Sequence, residues 1–240
     1  MHFQNAWTSV IGYTHHTLFY NNQDACAFYQ DLDLIIGVVA DGCGSCGCSE
    51  VGARLGVDFT INFCRKTCGA QPFDSEAFHD AAIDYLQGIV NNQHTREKIE
   101  FIDEHLLFTL VGFVVTPETT TVFHSGDGFF MINGEETMLD ENNRPAYLGK
   151  ELYGYKATIK TNSLPTAEVN QLLIATDGIR YLRNTLAQHP VQGLNSLQDL
   201  FSRDDFFEHP AALPKFITAL TIDEQLLRDD TSMVLLKRSV

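Results

Sequence analysis

The chain has 240 residues, 44% of them hydrophobic and 20% charged, enough to bury a full core and to read as one globular domain over 1–240. Its formal net charge of −15 disfavours nucleic-acid phosphates and anionic lipid, and favours divalent cations or basic protein segments. No apolar run nears the roughly 20 residues that span a bilayer, and the opening MHFQNAWTSV lacks the basic region and apolar core of an export signal, so a cytoplasmic protein is expected.

From the start of the chain, strands are predicted over Thr8–Gly12, Asp24–Gln30 and Leu34–Ala40, the second and third joined tightly through Asp31 and Asp33 into an antiparallel pair. Ser49 is a candidate N-cap for a helix over Glu50–Lys66, because Val51, Leu55, Phe59 and Phe63 recur every four residues. A second helix is predicted over Ser75–Val90, introduced by Pro72 and Asp74. The middle reads as a β-meander: Leu106–Val115, Thr119–His124 and Phe129–Ile132, then an Asn133-Gly134 hairpin turn into Thr137–Leu139. After the polar stretch Asp140–Gly149 come a short buried strand, Gln171–Thr176, and helical segments at Arg180–Ala187, Leu197–Ser202 and Ala211–Glu224. Ser232–Lys237 closes as a strand. Strands, then two helices, then strands, then helices fit a layered α+β domain better than an alternating parallel fold.

The 6 cysteines are expected to be reduced thiols in a chain read as cytoplasmic. Cys43, Cys46 and Cys48 sit in CGSCGC, and Cys64 and Cys68 lie at the far end of the predicted helix. A zinc or iron–sulfur site would need four ligands brought together from both ends of that helix.

The aspartates carry more. Asp41 and Asp177 each follow an apolar run and precede a glycine, which sets a carboxylate where a buried strand leaves its sheet; Asp127 in HSGDG repeats the design. Each Asp-Gly alone suits a turn. Together, with Asp24 in NNQDA and Asp229 in RDDTS, they form an oxygen-rich set suited to hard divalent cations.

In order along the chain, Asn22-Gln23-Asp24-Ala25, Ala40-Asp41-Gly42, Gly126-Asp127-Gly128, Ala175-Thr176-Asp177-Gly178 and Asp229-Asp230-Thr231-Ser232 resemble the motifs of the type 2C metal-dependent protein serine/threonine phosphatases, and GSCGCSEVGA resembles the turn and helix start of bacterial members. The resemblance spans almost the whole chain. It implies a four-layer α-β-β-α sandwich of two antiparallel sheets flanked by helices, with a metal pair in a channel between the sheets. It further implies that Asp41 bridges two Mn²⁺ or Mg²⁺ ions, that the Gly42 carbonyl holds one, and that Asp177 and Asp229 hold the second. Asp24 would act on the metals directly or through water, and Asp127 would help bind a third ion. Asp41, Asp177 and Asp229 would then be indispensable for hydrolysis of phosphoserine or phosphothreonine in a phosphoprotein substrate by a metal-bridging hydroxide. Two cations about 3.5–4 Å apart can activate water, hold phosphate oxygens and neutralise charge during in-line displacement.

The chain departs from the family pattern at several positions. Phe19 stands where the animal pattern has a phosphate-clamping arginine, Gln23 where many members have glutamate, Cys43 where many have a general-acid histidine, and Asp230 where asparagine is frequent. Arg54, Lys66, Arg144, Lys150 and Arg180 are candidate replacement cations, and Arg180 reads as a surface helix charge. His15 and His16, in the turn before Asn22, and His124 could supply a proton, but read as loop histidines. The alternative reading is a catalytically weak or inactive phosphatase-like regulatory domain that binds a phosphoprotein or partner.

Overall fold

The computed structural model describes residues 2–69, 71–93, 97–141 and 145–239. Two five-stranded antiparallel sheets lie face to face. One runs in the spatial order β1 (Phe3–Val10), β10 (Thr231–Arg238), β9 (Gln171–Ala175), β6 (Gly128–Ile132), β7 (Glu135–Leu139). The other runs β2 (Asp24–Gln30), β3 (Ile35–Gly42), β4 (Phe108–Val115), β5 (Thr119–Ser125), β8 (Lys160–Pro165). Helices α2 (Glu50–Thr67), α3 (Ser75–Asn91), α4 (Lys98–His105) and α5 (Leu148–Glu151) cover the second sheet. The first is covered by α6 (Ile179–Leu186), α7 (Asp204–Glu208), α8 (Ala212–Ile222) and a 3-10 turn at Leu197–Ser202. This is the α+β arrangement of two antiparallel sheets between helices that the sequence predicted.

The apolar runs are continuous because both faces of the central strands are buried. In β3, Ile36, Val38 and Ala40 face the helix layer with Val57 of α2 and Phe78 of α3, whereas Ile35 and Val39 face the other sheet, against Ile174, Val234 and Leu236. Gly37 sits under the Phe113 ring; a Cβ there would come within 2.4 Å of ring carbons, so the glycine is what lets the ring lie flat in the sheet interface. On the far side, Leu173, Ala175, Met233 and Leu235 meet Ile179, Leu182, Ile217 and Leu220. Each large side chain buried in these layers contributes about 1.5–3 kcal/mol.

Several boundaries differ from the sequence reading for local reasons. The first strand spans Phe3–Val10, and Gly12, expected within it, caps α1 (Tyr13–Leu18) instead. Asp74 caps α3, accepting from the Glu76 and Ala77 amides, and Ser49 stands at the N-cap of α2 as expected but makes no capping hydrogen bond, its hydroxyl donating to the Cys43 carbonyl instead. Asn133 and Gly134 both have positive φ, 51° and 90°, as the two-residue hairpin turn between β6 and β7 requires. No helix among the described residues is long and apolar enough to cross a membrane.

Candidate metal centre

Antiparallel pairing brings one end of every central strand to the same edge. Asp24 opens β2 directly opposite Asp41 near the end of β3, Thr109 pairs with Asp41 from β4, and Ser125 ends β5. From the other sheet, Gly128 opens β6, Ala175 ends β9, and Thr231 opens β10 beside Val10. The aspartates therefore converge because their strands stop there.

Hydrogen bonds stitch the two sheets together at this edge. The Thr176 hydroxyl donates to Asp24 Oδ2 at 2.6 Å and accepts from the Ser232 amide at 2.9 Å. Asp230 accepts from the Gly12 amide at 2.6 Å and the Gln23 amide at 2.6 Å. Asn22 Nδ2 donates to Ser9 Oγ at 2.8 Å. Backbone approach is tight: a Cβ on Gly178 would lie 2.0 Å from the Asp230 carbonyl oxygen, and one on Gly42 would lie 2.7 Å from the Gln23 carbonyl oxygen.

The edge encloses a cavity of about 180 Å³ lined by His15, Gln23, Asp41, Gly42, Gly44, Thr109, Asp127, Pro145, Tyr147, Asp177, Asp229 and Asp230. Of the residues singled out in the sequence, Asp41, Gly42, Asp127, Asp177 and Asp229 all line this cavity. Asp24 sits one step behind, its carboxyl between Thr176 and Asp41, and it lines a separate groove with Trp7, Ser9, Asn22 and Arg54.

These acids are electrostatically uncomfortable. Burial first, then the charges of Asp24, Asp177 and Asp229, push Asp41 well above the usual carboxylate range. Burial likewise raises Asp24, against the Thr176 hydrogen bond and together with the charges of Asp230, Asp229 and Asp177. Asp177 is raised by burial although the Arg180 charge opposes it, and Asp229 by burial and the neighbouring Asp230. Asp127 is raised by burial while accepting the Glu141 amide.

The donor set fits a hard divalent cation: buried carboxylates repel one another, no lysine or arginine lines the cavity among the described residues, and Gln23 Oε1, on the cavity wall, has no hydrogen-bond partner. Among the described residues no three His, Cys, Asp or Glu side chains stand close enough together to hold a metal ion as they are placed. The carboxylates are instead drawn to protein donors, Asp24 to Thr176, Asp177 to Arg180, and Asp230 to main-chain amides.

The family model described as protein phosphatase 2C matches residues 11–227, a span that holds Asp24, Asp41, Asp127 and Asp177 and ends just before Asp229, Asp230 and β10. The chain belongs to the protein phosphatase 2C family. Among solved structures, this phosphatase 2C chain is similar to the serine/threonine phosphatase Stp1 from Staphylococcus aureus, with 12% identity over 100% of this chain and 96% of that one and a TM-score of 0.64. It is similar to RsbX in complex with magnesium, with 16% identity over 99% and 96% of the two chains and a TM-score of 0.57. The catalytic domain of the serine/threonine protein phosphatase PstP, in complex with 2 manganese ions, matches with 15% identity over 98% of each chain and a TM-score of 0.57. At these identities the likeness establishes the fold. No curated protein is significantly similar to the chain.

The family departures take physical form here. Phe19 ends α1 in the left-handed region at φ 60°, with 95% of its surface exposed, and does not line the cavity. Arg180 is not the bare surface charge that its helical position suggested: its guanidinium pairs with the Asp177 carboxylate and its Nε donates to the Asp177 carbonyl at 3.2 Å. Gln23 Nε2 donates to the Cys46 carbonyl at 3.0 Å. Cys43, next to Gly42, has its thiol 3.2 Å from Ser45 Oγ; burial opposes its ionisation, but hydrogen bonds with Ser45, Cys46 and Tyr147 bring the thiol down overall.

The other singled-out residues lie elsewhere. All 6 cysteines are free thiols, with Cys64 and Cys68 buried late in α2 and its cap, away from Cys43. Lys150 sits over the Tyr147 ring, 5.1 Å from its centroid. Lys66 is exposed in the last turn of α2, and Arg144 lies outside the described residues. His124 belongs to β5, not a loop, and burial pushes its imidazole down, with Lys160 adding to the effect. His15 and His16 lie on α1, not in a turn; His16 is exposed, whereas His15 reaches the cavity wall. Sequence reading also passed over Thr176 and Tyr147. Thr176 had a signal, a hydroxyl between an apolar run and Asp177-Gly178.

Proposed function

We propose that the chain is a Mn²⁺- or Mg²⁺-dependent phosphatase acting on phosphoserine and phosphothreonine in proteins, as one domain over 1–240 working in the cytoplasm. One observation supports this reading most: Asp41, Asp127, Asp177 and Asp229 share a cavity that no lysine or arginine lines among the described residues, Arg180 reaching it only through its pairing with Asp177. Such a site is repulsive until cations enter.

In this reading Asp41, Asp177 and Asp229 hold two cations, with Asp24 and the Gly42 carbonyl beside them and Asp127 at a third. The bound ions would activate water and neutralise phosphate charge. The chain's own residues do the rest. Thr176 fixes Asp24, and the Gly12 and Gln23 amides fix Asp230. Arg180, released from Asp177 when a cation takes that carboxylate, becomes free to pair with substrate phosphate. Packed acids at the expense of stability argue for turnover over an inert regulatory domain, which would gain nothing from them.

The test is Mn²⁺-dependent hydrolysis of p-nitrophenyl phosphate and of a phosphoserine peptide. Asp41→Asn and Asp177→Asn, folded as judged by circular dichroism, are expected to lose that activity. Rates unchanged in either variant would sink the assignment.

A further inference from the structure

His15 and Asp230 lie 215 positions apart in sequence, yet His15 Nδ1 stands 2.9 Å from Asp230 Oδ2. The contact is well anchored on both sides. Asp230 is 3% exposed and is held by the Gly12 amide on Oδ1 and the Gln23 amide on Oδ2, each at 2.6 Å. The start of α1 is docked by the Tyr13 amide on the Leu227 carbonyl at 2.9 Å and the Thr14 amide on the Arg228 carbonyl at 3.0 Å. The Tyr20 ring meets the imidazole edge-on, with centroids 5.7 Å apart and planes at 88°.

A carboxylate on Nδ1 fixes the ring's orientation and leaves Nε2 as the nitrogen free to exchange a proton. The ring lines the same cavity as Asp41, Asp177 and Asp229. The other cavity-lining groups serve poorly as proton donors. Asp41, Asp127, Asp177 and Asp229 are the cation-binding set, and burial raises the Tyr147 phenol so that it holds its proton. Thr109 and Gln23 carry no proton acidic enough to give up.

On the phosphatase reading above, we propose that His15, oriented by Asp230, is the general acid that protonates the departing serine or threonine oxygen. As water's oxygen forms its bond to phosphorus, the bond from phosphorus to the serine oxygen breaks and its electron pair stays on that oxygen. The proton on Nε2 of the imidazolium passes to it, giving the serine hydroxyl, inorganic phosphate and a neutral imidazole that solvent recharges. Asp230 is a positioning residue: it touches the ring and not the substrate.

The experiment compares wild type with His15→Asn and His15→Gln on a phosphoserine peptide, whose alkoxide needs a proton to leave, and on p-nitrophenyl phosphate, whose phenolate leaves without one. Mn²⁺ affinity is measured alongside by calorimetry. The expected result is a loss of about 10²-fold or more in kcat on the peptide in both variants. The loss on p-nitrophenyl phosphate is at least about tenfold smaller, and Mn²⁺ binding stays within about threefold of wild type. Equal losses on the two substrates, or Mn²⁺ affinity weakened by more than about tenfold, would overturn the assignment of His15 alone. A wild-type protein that hydrolyses neither substrate with Mn²⁺ would overturn the phosphatase reading, and this proposal with it.

Discussion

Asp24 and Asp41 stand opposite each other in the β2–β3 ladder with their carboxyls within hydrogen-bonding reach. Two acids held that close in a buried edge make the folded chain a stronger proton binder than the unfolded one. The unfolded carboxyls ionise near pH 4, whereas burial and neighbouring charge hold both folded groups well above that, with Asp177 and Asp229 shifted the same way. Above about pH 4 the folded state therefore keeps protons that the unfolded state has lost, and stability falls as pH rises. Asp31, Asp199 and Asp205 shift the other way, but they stand in solvent, where such pairings contribute little. In EDTA, thermal melts are expected to give a higher Tm at pH 5.5 than at pH 7.5. A Tm that is flat or rises over that range would contradict this account.

Excess Mn²⁺ at pH 7.5 should reverse the deficit. A ligand at 100 times its Kd stabilises by about 2.7 kcal/mol through mass action. Differential scanning fluorimetry with and without Mn²⁺ reads this directly, and no upward shift at millimolar metal would count against a cation site.

Asp41→Asn should move stability and activity in opposite directions. Removing one of the crowded charges stabilises the chelated protein by about 0.5–2 kcal/mol, while the Mn²⁺-induced shift and phosphatase activity are lost. Urea titrations in EDTA supply the first quantity. A variant less stable than wild type under those conditions would show that the packing and hydrogen bonds of Asp41 outweigh its repulsion from the neighbouring acids.

Arg180→Gln tests the freed guanidinium. Because Arg180 stands beside Asp177 at the cavity, its removal should raise KM for a phosphopeptide about tenfold, roughly 1.4 kcal/mol of lost pairing to phosphate. The effect on kcat should be smaller. Unchanged KM would leave Arg180 as a partner of Asp177 and nothing more.

Gly178→Ala places a methyl group 2.0 Å from the Asp230 carbonyl oxygen and 2.5 Å from Thr231 Oγ1. The loop must move, at a cost of about 1–3 kcal/mol, and Asp177 and Asp229 move with it. Denaturant unfolding should register the loss, together with weaker Mn²⁺ binding. Wild-type values for both would show that the loop yields freely.

How much of this could be read from sequence depended on burial. The β3 and β4 runs were legible because two covered faces leave few polar positions, and α2 through the four-residue recurrence of Val51, Leu55, Phe59 and Phe63. The stripe of α2 that is fully buried is the neighbouring one of Ala53, Val57 and Cys64, and Val51 is exposed. Helix α1 was missed because none of its residues is buried: main-chain bonds to Leu227 and Arg228 hold it, not an apolar face. Strand β8 was missed because it is an edge strand, exposed along most of its length and without alternation. Helix α4 buries only Ile102, too little for a periodic signal. At the site, Asp41, Asp127 and Asp177 announced themselves as Asp-Gly pairs. The His15–Asp230 contact had no local signature, because it joins residues from opposite ends of the chain through the pairing of β1 with β10.

That pairing also governs timing. Strand β10 fills the slot between β1 and β9, and the residues leading into it carry Asp229 and Asp230, on which Gly12 and Gln23 close. A chain still emerging from the ribosome holds its early aspartates but has an open slot and no anchor for α1. On the proposed reading, cation capture and proton donation would therefore become available together, once β10 is seated between β1 and β9.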